Sequence, residues 1–363
     1  MGLVDIDQDT IAALEQQFPS LADIWPLSPL QAGMLFHAVL AEDSVDAYMV
    51  QLVLHVRGAV DVERLSRAVR GVVARHPNLR AAFTATADGD PLQVVAGAVD
   101  VGVEYLDLTN TNDPDSGLAE FLEADRSQRF DMTAAPLVRV TVLELREGDY
   151  RVVLTNHHIL MDGWSTPLYL RDLIALYVSD GDTASLPSAR SYKDYLEWVQ
   201  QQDVDVSLRT WRDALSGLDE PTTLIPLERA RKHDSPSREV VHEFSAELSS
   251  RITHVARDLG VTVNTVVQVA WGIVLSTETA RTDLVFGATV SGRPPQLDGV
   301  EEMIGLFINT LPVRLRLDPR ETFTELLTRV QGEQADLLEH HYVQLAEIQD
   351  VAGNGPVRHI DGV

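Results

Sequence analysis

The densest run of chemically capable side chains is Asn156-His157-His158-Ile159-Leu160-Met161-Asp162-Gly163-Trp164-Ser165. It follows an apolar stretch at residues 150–155 and precedes a helical pattern. A strand end opening into a helix start is where α/β proteins place reactive groups. Neighbouring side chains on an extended backbone point to opposite faces, so His157 and His158 cannot share one direction. One faces a cavity and the other the packed side. Asp162 stands four residues after His158, beside Gly163, which permits a tight turn. Local evidence leaves three readings open: a metal site, a hydrogen-bonded structural pair, and an acid–base catalyst. A metal site lacks further ligands at recognisable spacing, and no His-Glu-x-x-His occurs. A structural pair requires only that buried imidazoles find partners. A catalyst would use one histidine as a positioned base or hydrogen-bond donor.

The remaining composition narrows the chemistry. The 363 residues include no cysteine, which excludes disulfides, thiolate metal sites and a Cys nucleophile. Gly-x-Ser-x-Gly, Gly-x-Gly-x-x-Gly and the P-loop pattern are also missing. An enzyme built from this chain would therefore favour direct transfer between two bound substrates. Lys and Arg number 29 against 55 Asp and Glu, a net charge of −26. Such a charge repels polyanions, so no nucleic acid and no membrane are expected as partners. Hydrophobic residues make up 45% and charged residues 23%, ordinary for a globular protein. Residues 1–16 hold four acids and no base, unlike a secretory signal, and no run of 18 apolar residues occurs. The expected location is cytoplasmic.

Periodicity supplies the elements that position the run. Helices are expected at residues 9–18, 60–75, 116–129 and 164–177, and strands at 48–56, 79–85, 92–95, 137–145 and 150–155. Ser28-Pro29-Leu30-Gln31 reads as a helix start with a capping box. A lobe boundary is expected near residues 181–188. Beyond it, one helix is expected over 191–215, with Trp198 and Trp211 as packing residues. An irregular loop at 221–236 and a strand at 240–244 come next. Helices follow at 248–259 and 264–276, the second apolar almost all round and so buried. Strands at 284–290 and 311–317 and a helix at 321–339 complete the pattern.

His157-His158-Ile159-Leu160-Met161-Asp162-Gly163 resembles the His-His-x-x-x-Asp-Gly motif of condensation domains from non-ribosomal peptide synthetases. That superfamily is similar in fold to chloramphenicol acetyltransferase. Three further segments resemble motifs of the same family, in the same order. They are Leu27-Ser28-Pro29-Leu30-Gln31-Ala32-Gly33-Met34-Leu35-Phe36-His37, Arg75-His76-Pro77-Asn78-Leu79-Arg80-Ala81-Ala82-Phe83 and Ile304-Gly305-Leu306-Phe307-Ile308-Asn309-Thr310-Leu311-Pro312-Val313-Arg314. The resemblance covers nearly the whole chain. It implies an α/β (α+β) fold of two acetyltransferase-like lobes in a V-shaped pseudo-dimer. Residues 1–23 would be a linker following a carrier domain, 24–185 the N-terminal lobe and 186–363 the C-terminal lobe. Family members continue past the helix at 321–339, so that second lobe is expected to be truncated. Segments 33–37 and 305–310 resemble the class that joins an L-configured donor to an L-configured acceptor.

The resemblance also implies roles. The family forms amide bonds between groups held as thioesters on phosphopantetheine arms, delivered from opposite faces of a tunnel between the lobes. His158 would stand at the tunnel centre and take the acceptor amine's proton or orient the amine. His157 would be structural, bonding backbone beside the strand. Asp162 would be buried and paired with Arg80, a supporting role. Gly163 would let backbone approach the thioester and offer an amide hydrogen to the oxyanion. Trp164 and Ser165 would line the tunnel, with core packing an equal alternative for Trp164. Asn309 would contact an arm or substrate. Ser291-Gly292-Arg293-Pro294 would form the tunnel floor, with Arg293 either meeting a phosphate or solvated. The chain itself would bind no cofactor and no metal. Its partners would be donor and acceptor peptidyl carrier domains and an adjacent adenylation domain, the chain being a monomeric unit of a multidomain synthetase in antibiotic biosynthesis. Arg64, Arg67, Arg70 and Arg75 read as a solvated basic face or a docking patch for acidic carriers. Two alternatives share the motif: an epimerase or ester-forming relative using the same histidine, and a non-catalytic carrier-docking platform.

Overall fold

Nine-residue stretches rich in Val, Leu and Thr dominate the centre of the chain, and they build its main sheet. The computed structural model describes residues 3–40, 46–218, 222–224 and 240–352. Strands β2 (Met49–Arg57), β7 (Asp149–His157), β6 (Val138–Arg146) and β5 (Val103–Asp107) lie side by side in that order. Only the β5–β6 pair is parallel. A second sheet is ordered β1 (Leu21–Pro26), β4 (Pro91–Ala96), β3 (Ala81–Ala85), all antiparallel. Helices α1 (Gln8–Gln17), α2 (Pro29–Leu40), α3 (Val62–Arg75), α4 (Pro114–Ser127), α5 (Ser165–Val178) and α6 (Tyr192–Gln200) flank them. On α3 the apolar stripe Leu65, Val69, Val72 and Val73 is buried. It packs with Leu173 and Leu176 of α5 in one core that also holds Phe83, Leu154 and Ile159. At the start of α2 half of the expected capping box forms: Gln31 Oε1 accepts from Ser28 N at 2.9 Å.

The chain divides into two compact units, Met1–Gln202 with Arg293–Ile308, and Asp203–Gly292 with Asn309–Val363. The division lies after Gln202, not after residue 185 as expected. Tyr192, Tyr195 and Leu196 of α6 bury themselves in the first core together with Ile304 and Phe307, which assigns both segments to that unit. The leading residues belong there too: Leu14, Val4 and Ile6 cluster with Leu92 and Val94. The second unit holds α7 (Val204–Leu215), α8 (Ala246–Leu259), α9 (Val263–Thr279), β8 (Asp283–Val290), β9 (Asn309–Arg316), α10 (Phe323–Leu337) and α11 (Leu345–Val351). β8 and β9 form an antiparallel pair.

Several expectations are corrected. The helix expected over 191–215 is two helices, because Asp203 accepts from Val206 N at 3.0 Å and caps a new start. Trp198 and Trp211 therefore stand on different helices. Residues 240–244 form no strand and pair with no other segment among the described residues, and Val240 is 92% exposed; a strand without a neighbour gains no ladder of hydrogen bonds. One face of α9, carrying Val267, Trp271 and Val274, is exposed although the helix is apolar nearly all round. Strands β1 and β5 carried no clear alternation and were not expected. The loop at 221–236 falls almost wholly outside the described residues. Among the described residues no single helix is long and apolar enough to cross a membrane.

Candidate active site

β7 runs into the motif without a break. His157 is its last residue, and His158–Leu160 form a single 3-10 turn before α5. The two imidazoles meet different surroundings. His157 is fully buried, and its Nδ1 accepts from Ile159 N at 3.1 Å. His158 is partly buried, with Nδ1 inward and without a partner among the described residues. Its Nε2 makes no hydrogen bond there, which leaves that nitrogen for a substrate.

The turn is held by residues from the other motifs. His158 N donates to Tyr48 O at 2.8 Å. Gln31 Nε2 donates to Ile159 O at 3.0 Å, and Asn78 Nδ2 to Leu160 O at 3.0 Å. Each would otherwise be a buried carbonyl lacking a donor, at a cost of about 1–3 kcal/mol. His76, beside Asn78, sits with its Nε2 2.9 Å from Asp172 on α5, and Arg75 Nε donates to the same oxygen at 3.0 Å. Burial pushes the Asp172 carboxyl up, but His76, Arg171 and Arg75 bring it down to about 2.

Asp162 is the node of the site. It is 1% exposed. Its Oδ1 accepts from Ser165 N at 2.9 Å and lies 2.8 Å from Ser165 Oγ. Its Oδ2 accepts from Phe307 N at 2.9 Å and Ile308 N at 3.3 Å. Asp162 N donates to Gly305 O at 3.0 Å. The charge partner is Arg293, whose Nη2 is 3.5 Å from Oδ1 and donates to Ser165 Oγ at 3.0 Å. Arg293 also donates to Val300 O and, at 3.0 Å, to Met303 O, and its guanidinium lies 3.9 Å from the Phe307 ring centroid. Burial pushes that guanidinium below its ordinary range, and Asp162 opposes the shift.

This arrangement corrects several expected roles. Arg80 does not meet Asp162. It reaches back to the end of α3, donating to Val73 O at 2.8 Å and Ala74 O at 2.6 Å, and to Ala96 O at 2.8 Å. The carbonyls at a helix C-terminus attract a cation, and Arg80 caps them. Arg293 is neither solvated nor open to a phosphate, since it is spent on Asp162, Ser165 and two carbonyls. Ser165 is fully buried and bonds Gly305 on both sides, N–H at 3.1 Å and C=O at 2.8 Å, so it lines no opening. Trp164 is 56% exposed and is no core residue. Gly163 is exposed, has no left-handed φ, and a Cβ there would meet nothing within 4 Å. The turn therefore does not demand glycine, and open space lies above the backbone. In the second unit, Ser291 is exposed just after β8. Asn309 is buried, its amide donating to His341 O at 2.9 Å and Val343 O at 2.8 Å.

Two supporting residues carried no sequence signal. Tyr192 donates to Leu306 O at 2.6 Å, and its ring passes so close to Gly305 that a Cβ there would stand 2.1 Å from it. Asp46, in the turn before β2, lies 3.3 Å from His157 Nε2. Both work across long sequence separations, where spacing says nothing.

The sequence matches the Condensation domain family over residues 21–355. It is 39% identical over 355 residues to a linear gramicidin synthase of Brevibacillus parabrevis, covering 96% of this chain and 4% of that protein. It is 36% identical to bacitracin synthase 3 of Bacillus licheniformis, covering 90% of this chain and 5% of that one. The chain thus spans a small part of these relatives. The X-domain from teicoplanin biosynthesis superposes with a TM-score of 0.76 at 28% identity, over 92% of this chain and 74% of that one. A condensation domain from the Monacolin K polyketide synthase MokA shares the fold, with a TM-score of 0.75 at 21% identity over 91% and 76% of the chains. A turn supported by residues of four ordered motifs, and a family match across most of its length, place this chain in the condensation domain family.

Proposed function

We propose that this domain forms an amide bond between a donor acyl thioester and the amine of an acceptor amino acid, each carried on a phosphopantetheine arm of a carrier domain. The amine nitrogen attacks the thioester carbonyl. The carbon–sulfur bond breaks, the arm leaves as a thiol, and the amine's proton is removed. His158 Nε2 takes that proton or accepts its hydrogen bond and orients the amine; proton transfer of this kind contributes roughly 10²–10⁴-fold. Gly163, exposed just before α5, offers its amide as a donor for the developing oxyanion. Asp162, Arg293 and Ser165 keep the turn rigid.

The observation that carries this reading is the contrast within the histidine pair. His157 is buried and bonded, whereas His158 stands beside it with Nε2 unengaged on a turn whose carbonyls are all held. The test is to load donor and acceptor carriers, add the chain and weigh the dipeptidyl carrier by mass spectrometry. His158→Ala should lower the rate about 10²-fold or more with carrier binding unchanged. Product formed at the full rate by His158→Ala would refute the assignment. A D-aminoacyl carrier with no new bond would mark an epimerase instead. An L-configured donor and acceptor, a cytoplasmic setting and a neighbouring adenylation domain belong to the same proposal.

A second reading has one specific support. The X-domain from teicoplanin biosynthesis was also solved in complex with OxyB, and it is 29% identical to this chain with a TM-score of 0.74. A domain of this fold can therefore serve as a platform for another protein. Carrier binding without any dipeptidyl product would favour that role.

A further inference from the structure

The turn preceding β2 holds both histidines at once. Asp46 is buried, and its Oδ1 accepts from Tyr48 N at 2.9 Å, which fixes the carboxylate. Two residues on, Tyr48 O accepts from His158 N at 2.8 Å. The other carboxylate oxygen of Asp46, Oδ2, lies 3.3 Å from His157 Nε2, an ion-pair distance outside hydrogen-bond alignment. His157 Nδ1 is already committed as an acceptor for Ile159 N at 3.1 Å. A ring nitrogen that accepts carries a lone pair, so the proton of the neutral ring is on Nε2. That N–H lies beside the Asp46 carboxylate, off the line of a hydrogen bond. A carboxylate attracts an N–H and repels a lone pair, so Asp46 favours this tautomer and disfavours the other.

We infer that Asp46 is a positioning residue: it holds His157 in the Nε2–H tautomer, which keeps Nδ1 free to bond Ile159 N–H and shape the turn that presents His158. The reverse tautomer would set Nδ1–H against Ile159 N–H and a lone pair against the carboxylate. The turn would then lose a hydrogen bond one residue after His158. Burial raises the Asp46 carboxyl, but His157 and the Tyr48 amide bring it below its ordinary value, with Arg129 adding attraction. The carboxylate is therefore charged at neutral pH. The inference rests on the amide-forming reading only for its kinetic consequence.

The test uses the uniformly ¹⁵N-labelled chain, with the His157 ring signals assigned by their loss in His157→Gln. The unmodified chain should show His157 as the Nε2–H tautomer. Asp46→Ala should shift the ring toward the other tautomer and move the Ile159 amide resonance. It should lower kcat for dipeptidyl carrier formation about tenfold, with KM for loaded carriers unchanged. Asp46→Asn, whose amide oxygen can accept from Nε2–H, should keep the tautomer and most of the rate. An Nδ1–H tautomer in the unmodified chain overturns the inference. So does Asp46→Ala with tautomer, Ile159 amide and kcat all unchanged. Should Asp46→Ala fail to fold, the unmodified chain and Asp46→Asn decide. Full activity in His158→Ala would sink the amide-forming reading alone, because the tautomer readout needs no turnover.

Discussion

Asp162→Ala should be among the most damaging single changes in this domain, and its cost should be coupled to Arg293. Removing the carboxylate leaves a guanidinium whose side chain is 1% exposed without its acid. Breaking a buried pair from one side costs about 3–5 kcal/mol. The amides of Phe307 and Ile308 lose their acceptor as well, and a buried donor left unmade costs about 1–3 kcal/mol. These terms overlap, so a total of about 4–5 kcal/mol is expected. Arg293→Met alone should cost less, roughly 2–4 kcal/mol, because Ser165, Phe307 and Ile308 still bond the carboxylate. The double variant removes both charges, and the cycle should return a coupling of about 1–3 kcal/mol. Arg80→Met shares no partner with Asp162 and should combine additively, within about 0.5 kcal/mol. Urea unfolding of the four chains in each cycle, followed by far-ultraviolet circular dichroism, measures both couplings. A larger coupling of Asp162 to Arg80 than to Arg293 would refute the assignment of the buried pair.

Gly305→Ala would drive a methyl into the Tyr192 ring, 2.1 Å from its nearest carbon, and overpacking of this kind costs about 1–3 kcal/mol; an unchanged urea midpoint would contradict it. Gly163→Ala meets nothing within 4 Å, so its urea midpoint should match the parent. Its kcat/KM for loaded carriers should fall if the thioester approaches that backbone, and an unchanged kcat/KM would remove Gly163 from the proposed oxyanion site. His341 is held neutral: burial, with a smaller contribution from His340, pushes it from 6.5 down to about 4. The unfolded chain therefore binds a proton more readily, and stability should fall as the pH drops from about 6.5 to 4, by up to about 3 kcal/mol. The contribution is complete above 6.5. His341→Gln should flatten that part of the pH–stability curve, and an equally steep curve would assign the effect elsewhere.

Legibility followed locality. The strand end, the turn and the helix after it were readable because β7 and α5 each carry an unbroken pattern of their own. The unequal burial of His157 and His158 was expected from backbone alternation. Helix α3, expected over 60–75, spans Val62–Arg75, yet the partner of Asp162 did not show at all. Resemblance suggested Arg80, and the structure places Arg293 there instead. Both are arginines inside quoted motifs, and only packing decides between them: Arg80 is drawn to the carbonyls closing α3, while Arg293 enters over the Phe307 ring. Asp46 was invisible for a similar reason, since an acid before a strand usually signals a turn. The exposed face of α9 marks a different limit, because composition reports how apolar a helix is and not what lies against it.

The long reach of the Asp162 node bears on how this domain is made. Apart from Ser165, every group that satisfies its carboxylate lies 131 to 146 residues downstream. At about 5–20 residues per second, a ribosome needs roughly 7–30 s to deliver them. During that interval the two sheets and their helices can collapse, and Gln31, Tyr48 and Asn78 can already hold the turn bearing His158, but the Asp162 carboxylate behind it has only Ser165. Contacts so distant in sequence also close slowly once the chain is complete. The Asp162 side of the site is thus completed late in folding, and a nascent chain halted before residue 293 would hold a folded sheet with His158 on its turn and a buried carboxylate still without its arginine.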